Sequence, residues 1–523
     1  MEQLYQISTI ALFYCRTGKQ EDKEMLEFLG WLDGVLWGLP LIVLMLVTGL
    51  YFTVRSGFFQ FRYFGWILKR TIGKIFDRKA SENAENEKGM LSSFEAISTA
   101  IGGTVGFGNI AGVATAVASG GPGAVVWMWL TSCLGMILKQ VEVTLGCYYR
   151  RKNDKGEFYG GPTYYMERGL GEERGWGRLW LIPAIIFGIG IFSTFFVTSS
   201  TLTAAQVVSG VFKFDGIQIG GIKIESVIIF AFFLCVLTYI ITGGGTKRIA
   251  EIFSRLVPVM SGVYILMGLA MILVNINRIP AVVAAIFTNA FTGTAAIGGF
   301  AGCAVSQMVR VGMARSVYSN EAGWGTSPMI HASAKTSHPV EQGLWGSFEV
   351  FFDTFVICSI TALSVILSGC WTDGTNGGTL ALNAFASGFG TAGSVLLALI
   401  MVVFTVTTSG GWFTYYLAIL EHLYKQEGPV KFIVMKVFYA VRSLPGLLWT
   451  IYLVKTDNQG FIWTLVDITS AIPTFINVAV ILLLSNQYFK LLKDYMARYL
   501  GLGTADEDMP LFYEDQNSGN RTR

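Results

Sequence analysis

Residues 102–129 read Gly-Gly-Thr-Val-Gly-Phe-Gly-Asn-Ile-Ala-Gly-Val-Ala-Thr-Ala-Val-Ala-Ser-Gly-Gly-Pro-Gly-Ala-Val-Val-Trp-Met-Trp. The stretch is apolar and long enough to cross a bilayer, which takes about 20 residues. Yet Gly102, Gly103, Gly106 and Gly108 crowd its first turns. Each interior glycine weakens a helix by roughly 1 kcal/mol relative to alanine. Four in so short a run, closed by Asn109, predict backbone that leaves the helix. Inside a membrane such backbone survives only where it is buried in protein or lines a wet cavity, and a cavity can hold a small solute or ion. Small residues also let two helices approach closely, so the stretch by itself leaves cavity and contact open.

The class is set by the whole chain. Of 523 residues, 52% are hydrophobic and 14% charged, against about 25% charged in soluble proteins. Eleven apolar spans are present, at 31–54, 91–118, 121–149, 179–211, 224–243, 256–275, 295–313, 343–368, 390–421, 431–454 and 461–489. The fold class is therefore an all-α polytopic membrane protein, with the lipid bilayer as its surroundings and no nucleic acid expected as a partner. Residues 1–30 carry Glu2, Glu21, Asp22, Glu24 and Glu27 and show no basic start or cleavage site, so no removable signal peptide is expected.

Basic residues orient the spans. Of 38 Lys and Arg, 29 fall in alternate connecting segments, counting Arg310 and Arg315 with them. The opposite side holds seven: Arg16, Lys19, Lys23, Lys213, Lys223, Arg278 and Lys455. Lys139 and Arg442 lie within spans. This bias places the amino terminus outside and the carboxyl terminus in the cytoplasm, in the plasma membrane of a prokaryote. Residues 58–76 interleave Arg62, Lys69, Arg70 and Lys74 with aromatics, which predicts a helix in the headgroup layer rather than a further span.

A second glycine cluster gives the first its meaning. Residues 293–303 read Gly-Thr-Ala-Ala-Ile-Gly-Gly-Phe-Ala-Gly-Cys, with Gly298 and Gly299 interrupting span seven. Apart from span one, the ten spans divide into two sets of five, each opened by a glycine-broken helix. Because five is odd, the second set runs inverted to the first. Paired broken helices in corresponding positions of inverted halves mark the midplane site of a secondary transporter. The chain then divides into 1–90 (amino-terminal segment, first span and interfacial helix), 91–290 and 291–490 (the two five-helix repeats), and 491–523 (a cytoplasmic tail).

Polar residues inside the spans fill in the site. Span four carries Ser193, Thr194, Thr198, Ser199, Ser200, Thr201, Thr203 and Gln206, dense enough to line a polar cavity, although such hydroxyls often bond only their own helix. In span nine Thr407 and Thr408 offer neutral oxygens to a hard monovalent cation. Carbonyls freed at Thr104, Val105 and Gly106 would complete such a site. Lys139 and Glu142 sit at pairing distance on span three, with snorkelling to the cytoplasmic face as the alternative. Glu349 and Asp353 share a face of span eight, Asp353 either organising the site or solvated at the inner face. The stretch from Ser319 to Pro328 is too particular for a passive linker and is placed in a cytoplasmic loop. No transition-metal spacing occurs. Of the seven scattered cysteines, only Cys15 and Cys370 face outside together.

The run from Gly102 through Ala114, then Gly120-Gly-Pro-Gly-Ala and Trp127-Met-Trp129, resembles the alanine/glycine:cation symporter family. Further matches are Tyr318-Ser-Asn-Glu-Ala-Gly323, His338-Pro-Val-x-Gln-Gly343, Phe352-Asp-Thr354, Gly411-Trp412 and Asp467 with Ala471-Ile-Pro473. The resemblance implies an importer of alanine or glycine, coupled to sodium or protons, with the inverted five-helix repeat of the leucine transporter. It implies substrate contacts near Gly106, Gly108 and Asn109, at Thr408 and at Trp412, and a sodium site at Thr407 and Thr408. Two departures stand out. Where the family has an Asn-x-x-Gln-x-Asn-like run in span four, this chain has its Ser/Thr run, with Ser199 and Gln206 as candidates. Arg315-Ser316 replaces the family's Arg-Gly. A larger or more polar substrate such as glutamine is the alternative.

No Arg or Lys lies near either predicted break in the sequence. A substrate carboxylate would therefore rest on backbone N–H groups and helix dipoles, and its ammonium on carbonyls near Gly298 and Gly299. A channel is disfavoured by the lack of a ring of pore charges. Enzymatic function is not expected, since the three histidines form no nucleophile–base pair.

Overall fold

The computed structural model describes residues 19–75, 90–292, 304–456 and 460–516. Within them the chain is helical apart from loops and two short hairpins, Arg151–Lys152 with Phe158–Tyr159 and Ile217–Ile219 with Ile222–Ile224. Seven described helices are long and apolar enough to cross a membrane, or nine when each of two bent pairs counts as one span. Cys15, Gly298 and Gly299 lie outside the described residues.

Helices α1 (Lys19–Leu36) and α2 (Leu39–Arg55) form the first span. Pro40 sits in the first turn of α2, where no helical N–H is lost. The basic-aromatic stretch after it breaks into three short helices, Phe59–Arg62, Phe64–Arg70 and Ile72–Ile75, rather than one interfacial helix.

The first glycine cluster does break its span. Helix α3 (Ser93–Thr104) starts at a capping box between Ser92 and Glu95 and stops at Val105 (φ −77°, ψ 98°). The chain resumes through a π-helical turn, Gly108–Gly112, into α4 (Val113–Gly120), bent by 44° from α3. Helix α5 (Ala124–Tyr148) returns across the bundle and packs on the helices at Val305–Asn320 and Pro339–Val350. Span four is also discontinuous: α6 (Leu181–Phe196) ends at Val197 (φ −108°, ψ 91°), and α7 (Ser200–Phe212) restarts within the Ser/Thr run. Helices α8 (Ser226–Thr242), α9 (Gly245–Val274) and α10 (Ile279–Thr292) follow.

The described break in span seven lies about two dozen positions beyond Gly298 and Gly299. Helix α11 (Val305–Asn320) runs past residue 313 and ends where Glu321 (φ 55°), Gly323 (φ 87°) and Gly325 (φ 81°) take left-handed backbone. It restarts as the short α12 (Ser327–His331). Left-handed positions cannot continue a right-handed helix, and two of the three are glycines, which adopt them freely. The Ser319–Pro328 stretch, expected as a cytoplasmic loop, is instead buried throughout. Span eight comes next as α13 (Pro339–Val350), a π-helical segment Phe351–Cys358, and α14 (Ser359–Ser368).

Helix α15 (Gly377–Leu423) turns sharply at Gly390 (φ 59°, ψ −147°), the position where span nine was expected to begin. Helices α16 (Pro429–Val441) and α17 (Leu444–Thr456) meet at 44° with Arg442 at the joint. Helix α18 (Gly460–Leu483) packs on α6 and α1, and α19 (Ser485–Leu500) closes the described bundle.

Arg310 and Arg315 change sides. Arg310 pairs with Asp33 at 3.5 Å, Arg315 with Asp467 at 2.5 Å, and a cavity of about 270 Å³ joins them to Ser119 and Asn376. That is the end of the bundle read as outside. Moving both leaves 27 basic residues on the side read from the sequence as cytoplasmic, against nine on the other.

Candidate functional site

The two breaks meet. The ring of Tyr318, near the end of α11, lies 3.5 Å from where a Cβ on Gly108 would stand. Phe107 approaches the same ring edge-on, with centroids 6.0 Å apart. Around this meeting lies a cavity of about 100 Å³. Gly103, Thr104, Phe107 and Gly108 line it from the first break, and Tyr318, Glu321 and Trp324 from the second. Thr408, Ser409 and Trp412 of α15 form another wall, with Trp324 and Trp412 edge to face at 5.0 Å. Thr194, Thr198, Ser200 and Thr201 come from the break in span four. Arg442 and Ser443 close the far side, from the joint of span ten.

Gly106 owes its identity to crowding. A Cβ there would stand 2.0 Å from Thr408 Oγ1, closer than atoms can approach, so only glycine lets the break touch α15. Thr408 Oγ1 is buried without a hydrogen-bond partner. A buried hydroxyl with nothing to bond costs free energy, and here it sits against the broken backbone. Thr104, Gly106, Gly108, Thr408 and Trp412 therefore converge, with Val105 as the buried residue that leaves the helix.

The remaining candidates lie elsewhere. Asn109 turns away from the cavity: its Oδ1 accepts from the Gly106 N–H (2.8 Å) and its Nδ2 donates to Asp353 (2.5 Å). It braces the break from behind. Thr407 Oγ1 bonds back to the Phe404 carbonyl at 3.1 Å. Ser199 bonds the Tyr318 hydroxyl at 3.3 Å behind the lining, and Gln206 is half-buried further along α7.

Span eight stitches both breaks together. Glu349 Oε1 accepts from Thr104 (3.0 Å) on the first broken span and from Ser327 (3.1 Å) on the second. Asp353 accepts from Asn109 on the first and from Ser319 (2.8 Å) on the second. The π-helical segment between α13 and α14 lengthens the turn that begins beside them. Lys139 does not snorkel, nor does it pair with Glu142. It is fully buried, 3.4 Å from Glu349, and donates to the Asn320 carbonyl at 2.6 Å. Glu142 instead receives Asn477 of α18. Asp353 is not solvated: both span-eight carboxylates are fully buried.

Sequence reasoning missed Tyr318, Glu321 and Trp324 as lining because it looked for the second break at Gly298 and Gly299, outside the described residues. Closely spaced glycines flanking an aromatic, Gly323-Trp324-Gly325, carried the signal. It also expected no basic residue near the site. Arg442 lines the cavity, but its guanidinium is engaged, donating to Thr242 Oγ1 (2.6 Å) and the Tyr239 carbonyl (2.6 Å).

Two ion-pair clusters lie to either side of this cavity. In one, Arg315 and Asp467 line the 270 Å³ cavity, with the Arg315 guanidinium 4.9 Å from the Trp463 ring. In the other, Glu167 receives His422 at 2.9 Å and Lys425, tying the end of α15 to the segment after the first hairpin. Burial raises the Glu167 carboxyl, but bonds from His422 and Lys425 outweigh it and bring it down to about 2.

Broken helices that surround a small, partly polar cavity within an apolar bundle are the architecture of a carrier. Comparison with known proteins agrees, since residues 22–505 match the profile of the Sodium:alanine symporter family. The chain belongs to that family. Among similar proteins is the Bacillus subtilis uncharacterized transporter YflA, 36% identical over 88% of this chain and 92% of that one. The sodium/alanine symporter AgcS of Methanococcus maripaludis is 34% identical over 82% of this chain and 91% of its own. The probable sodium/glutamine symporter GlnT of Bacillus subtilis is 35% identical over 94% of each. This member of the sodium:alanine symporter family is thus similar to relatives with different named substrates along nearly their whole length.

Proposed function

We propose that this chain is a symporter coupling inward sodium or proton movement to uptake of a small neutral amino acid, alanine or glycine, by alternating access. The meeting of two broken helices around one cavity carries this reading. It extends to an inverted pair of five-helix repeats, 91–290 and 291–490, in a prokaryotic plasma membrane with the amino terminus outside.

The chemistry comes from the helix ends. Gly108 opens a half-helix whose N-terminal end is electropositive and suits the substrate carboxylate. The C-terminal ends of α3 and α11 are electronegative and suit the ammonium or a cation. Thr408, with its unpartnered hydroxyl, and the backbone of Thr104, Val105 and Gly106 form the sodium site, with Thr407 behind it. Trp412 and Trp324 bound the side-chain space. Because the cation contacts both α15 and the first break, its binding and that of the substrate favour the same closed arrangement, which is coupling. Opening outward parts Arg315 from Asp467; opening inward parts Glu167 from His422.

A second reading, glutamine or another polar amino acid, is favoured by the hydroxyls of Thr194, Thr198, Ser200 and Thr201 where a small apolar side chain needs none. One experiment separates the two: uptake of labelled alanine into proteoliposomes with an inward sodium gradient, challenged by unlabelled glycine or glutamine. Uptake that never exceeds equilibrium under sodium or proton gradients refutes symport. Stronger competition by glutamine than by glycine moves the substrate to the polar class.

A further inference from the structure

We propose that Glu321 binds a coupling cation, at a position distinct from the Thr407–Thr408 site. The proposal rests on the symport reading above and adds a residue to it.

The carboxylate lines the central cavity while being only 2% exposed. One oxygen, Oε2, accepts from Thr326 Oγ1 (2.5 Å) and from the Tyr415 hydroxyl (3.1 Å). The other, Oε1, takes no hydrogen bond from any described residue, and no basic side chain among them comes within ion-pair distance of either. In this Glu321 differs from Glu349 and Asp353, and unlike Glu142, which also has no ion pair among the described residues, it lines the cavity. Glu349 has Lys139, and Asp353 has Asn109, Ser319 and Thr354 shared between its two oxygens. A charged carboxylate held in an apolar bundle by hydroxyls alone, with one oxygen unbonded, is costly unless a cation meets it, and an ionisable side chain inside a membrane bundle ordinarily serves an ion or proton path.

Its placement increases the negative potential. Glu321 caps α11, its N–H bonding the Val317 carbonyl at 2.7 Å, so the side chain leaves from the electronegative end of a 16-residue helix. The left-handed φ of 55° turns the residue off the helix at that point. Thr408 Oγ1, more than nine-tenths buried and unpartnered, lines the same cavity. The groups that face Glu321 are Lys139 of α5, Glu349 of α13, Tyr318 of α11, and Tyr415 and Tyr416 of α15. Lys139, the one cation among them, is committed to Glu349 and the Asn320 carbonyl. A monovalent cation at Oε1 supplies the missing charge. It also ties the second break to α15 through Tyr415, as the cation at Thr408 ties the first.

Trp324 and Trp412 report on this place by fluorescence. The test titrates the full-length protein in lipid nanodiscs with sodium chloride, against choline chloride and with no amino acid present, at several pH values. If sodium is the ligand, Glu321→Gln raises the sodium half-saturation at least ~10-fold. If the proton is, the pH-dependent fluorescence change without sodium disappears in Glu321→Gln. A Glu321→Gln protein that is monodisperse and answers sodium and protons as wild type does overturns the proposal while leaving symport intact. A wild type that answers neither overturns the coupling reading itself. Should Glu321→Gln fail to fold, Glu321→Asp keeps the charge and shortens its reach; sodium and pH responses identical to wild type overturn the assignment.

Discussion

The two breaks solve one problem in opposite ways. The first, at Val105–Phe107, is neutral and glycine-lined, and the side chain of Asn109 replaces a lost helical partner by accepting the Gly106 N–H. The second, at Glu321–Thr326, is built from left-handed positions and carries a carboxylate into the cavity. One break presents bare backbone; the other presents charge. A zwitterion and a cation need both kinds of surface, and the difference shows that two breaks meeting at one cavity need not share their chemistry.

The contrast is sharpest at single glycines. Gly106→Ala forces a methyl onto Thr408, whereas Gly108→Ala meets Tyr318 at an ordinary 3.5 Å. Labelled-substrate uptake should fall ~100-fold or more in the first and stay within a few-fold of wild type in the second. Equal losses would mean the first break does not depend on its contact with α15.

Next comes the stitching. Lys139→Met takes the lysine from buried Glu349 and leaves it His331 and the hydroxyls of Thr104 and Ser327; breaking a buried ion pair costs roughly 3–5 kcal/mol. The variant should melt well below wild type in detergent, and Lys139→Met combined with Glu349→Gln should recover most of the loss. Asn109→Ala removes the brace of the first break without touching the cavity. Its expected signature is a maximal uptake rate reduced ~10-fold with little change in KM, since one buried bond to a charged group contributes about 1.5–3 kcal/mol. Trp412→Ala should do the reverse and raise KM, because its ring borders the substrate space.

The smallest effect lies far from both breaks. His338 is buried at the start of α13; its Nδ1 accepts from the Val340 N–H, and its Nε2 faces Asp494 at 3.3 Å. Burial, outweighing Asp494, pushes its ring down to about 4 from the ordinary 6.5. The unfolded chain therefore binds a proton that the folded chain refuses. Stability from this group is full above about 6.5 and is lost as pH falls toward 4. Melting temperature should drop by a few degrees between pH 7.5 and 5, and His338→Gln should flatten that slope while leaving uptake at pH 7.5 near wild type.

Much of this was legible in the residues. The apolar spans, the discontinuity at Gly102–Asn109 and the polar lining of span four come from composition and glycine density, which are local properties. The break at Glu321–Gly325 was overlooked because glycine density in 293–303 drew attention from a weaker signal there. There the helix ends through three left-handed residues, and only two of them are glycines. The roles of Lys139, Glu349 and Asp353 could not be read from spacing. Their partners lie far away in sequence, and spacing on one helix pointed Lys139 to Glu142 instead. Arg442 likewise reaches the cavity through the joint of span ten, a position set by packing.

One contact has mechanical weight. Gly103 and Gly411 press backbone to backbone: a Cβ on Gly411 would lie 2.5 Å from the Cα of Gly103. Two helices that touch at bare main chain have no interlocking side chains to resist rotation there, so the crossing can act as a fulcrum. Ten residues of helix, about 15 Å, separate Gly103 from Ser93. A tilt of about 10° at the crossing therefore swings the far end by roughly 2.6 Å while the point beside the cavity scarcely moves. Placed this way, the pivot would let the ends of the bundle open and close around a site whose own geometry stays nearly still.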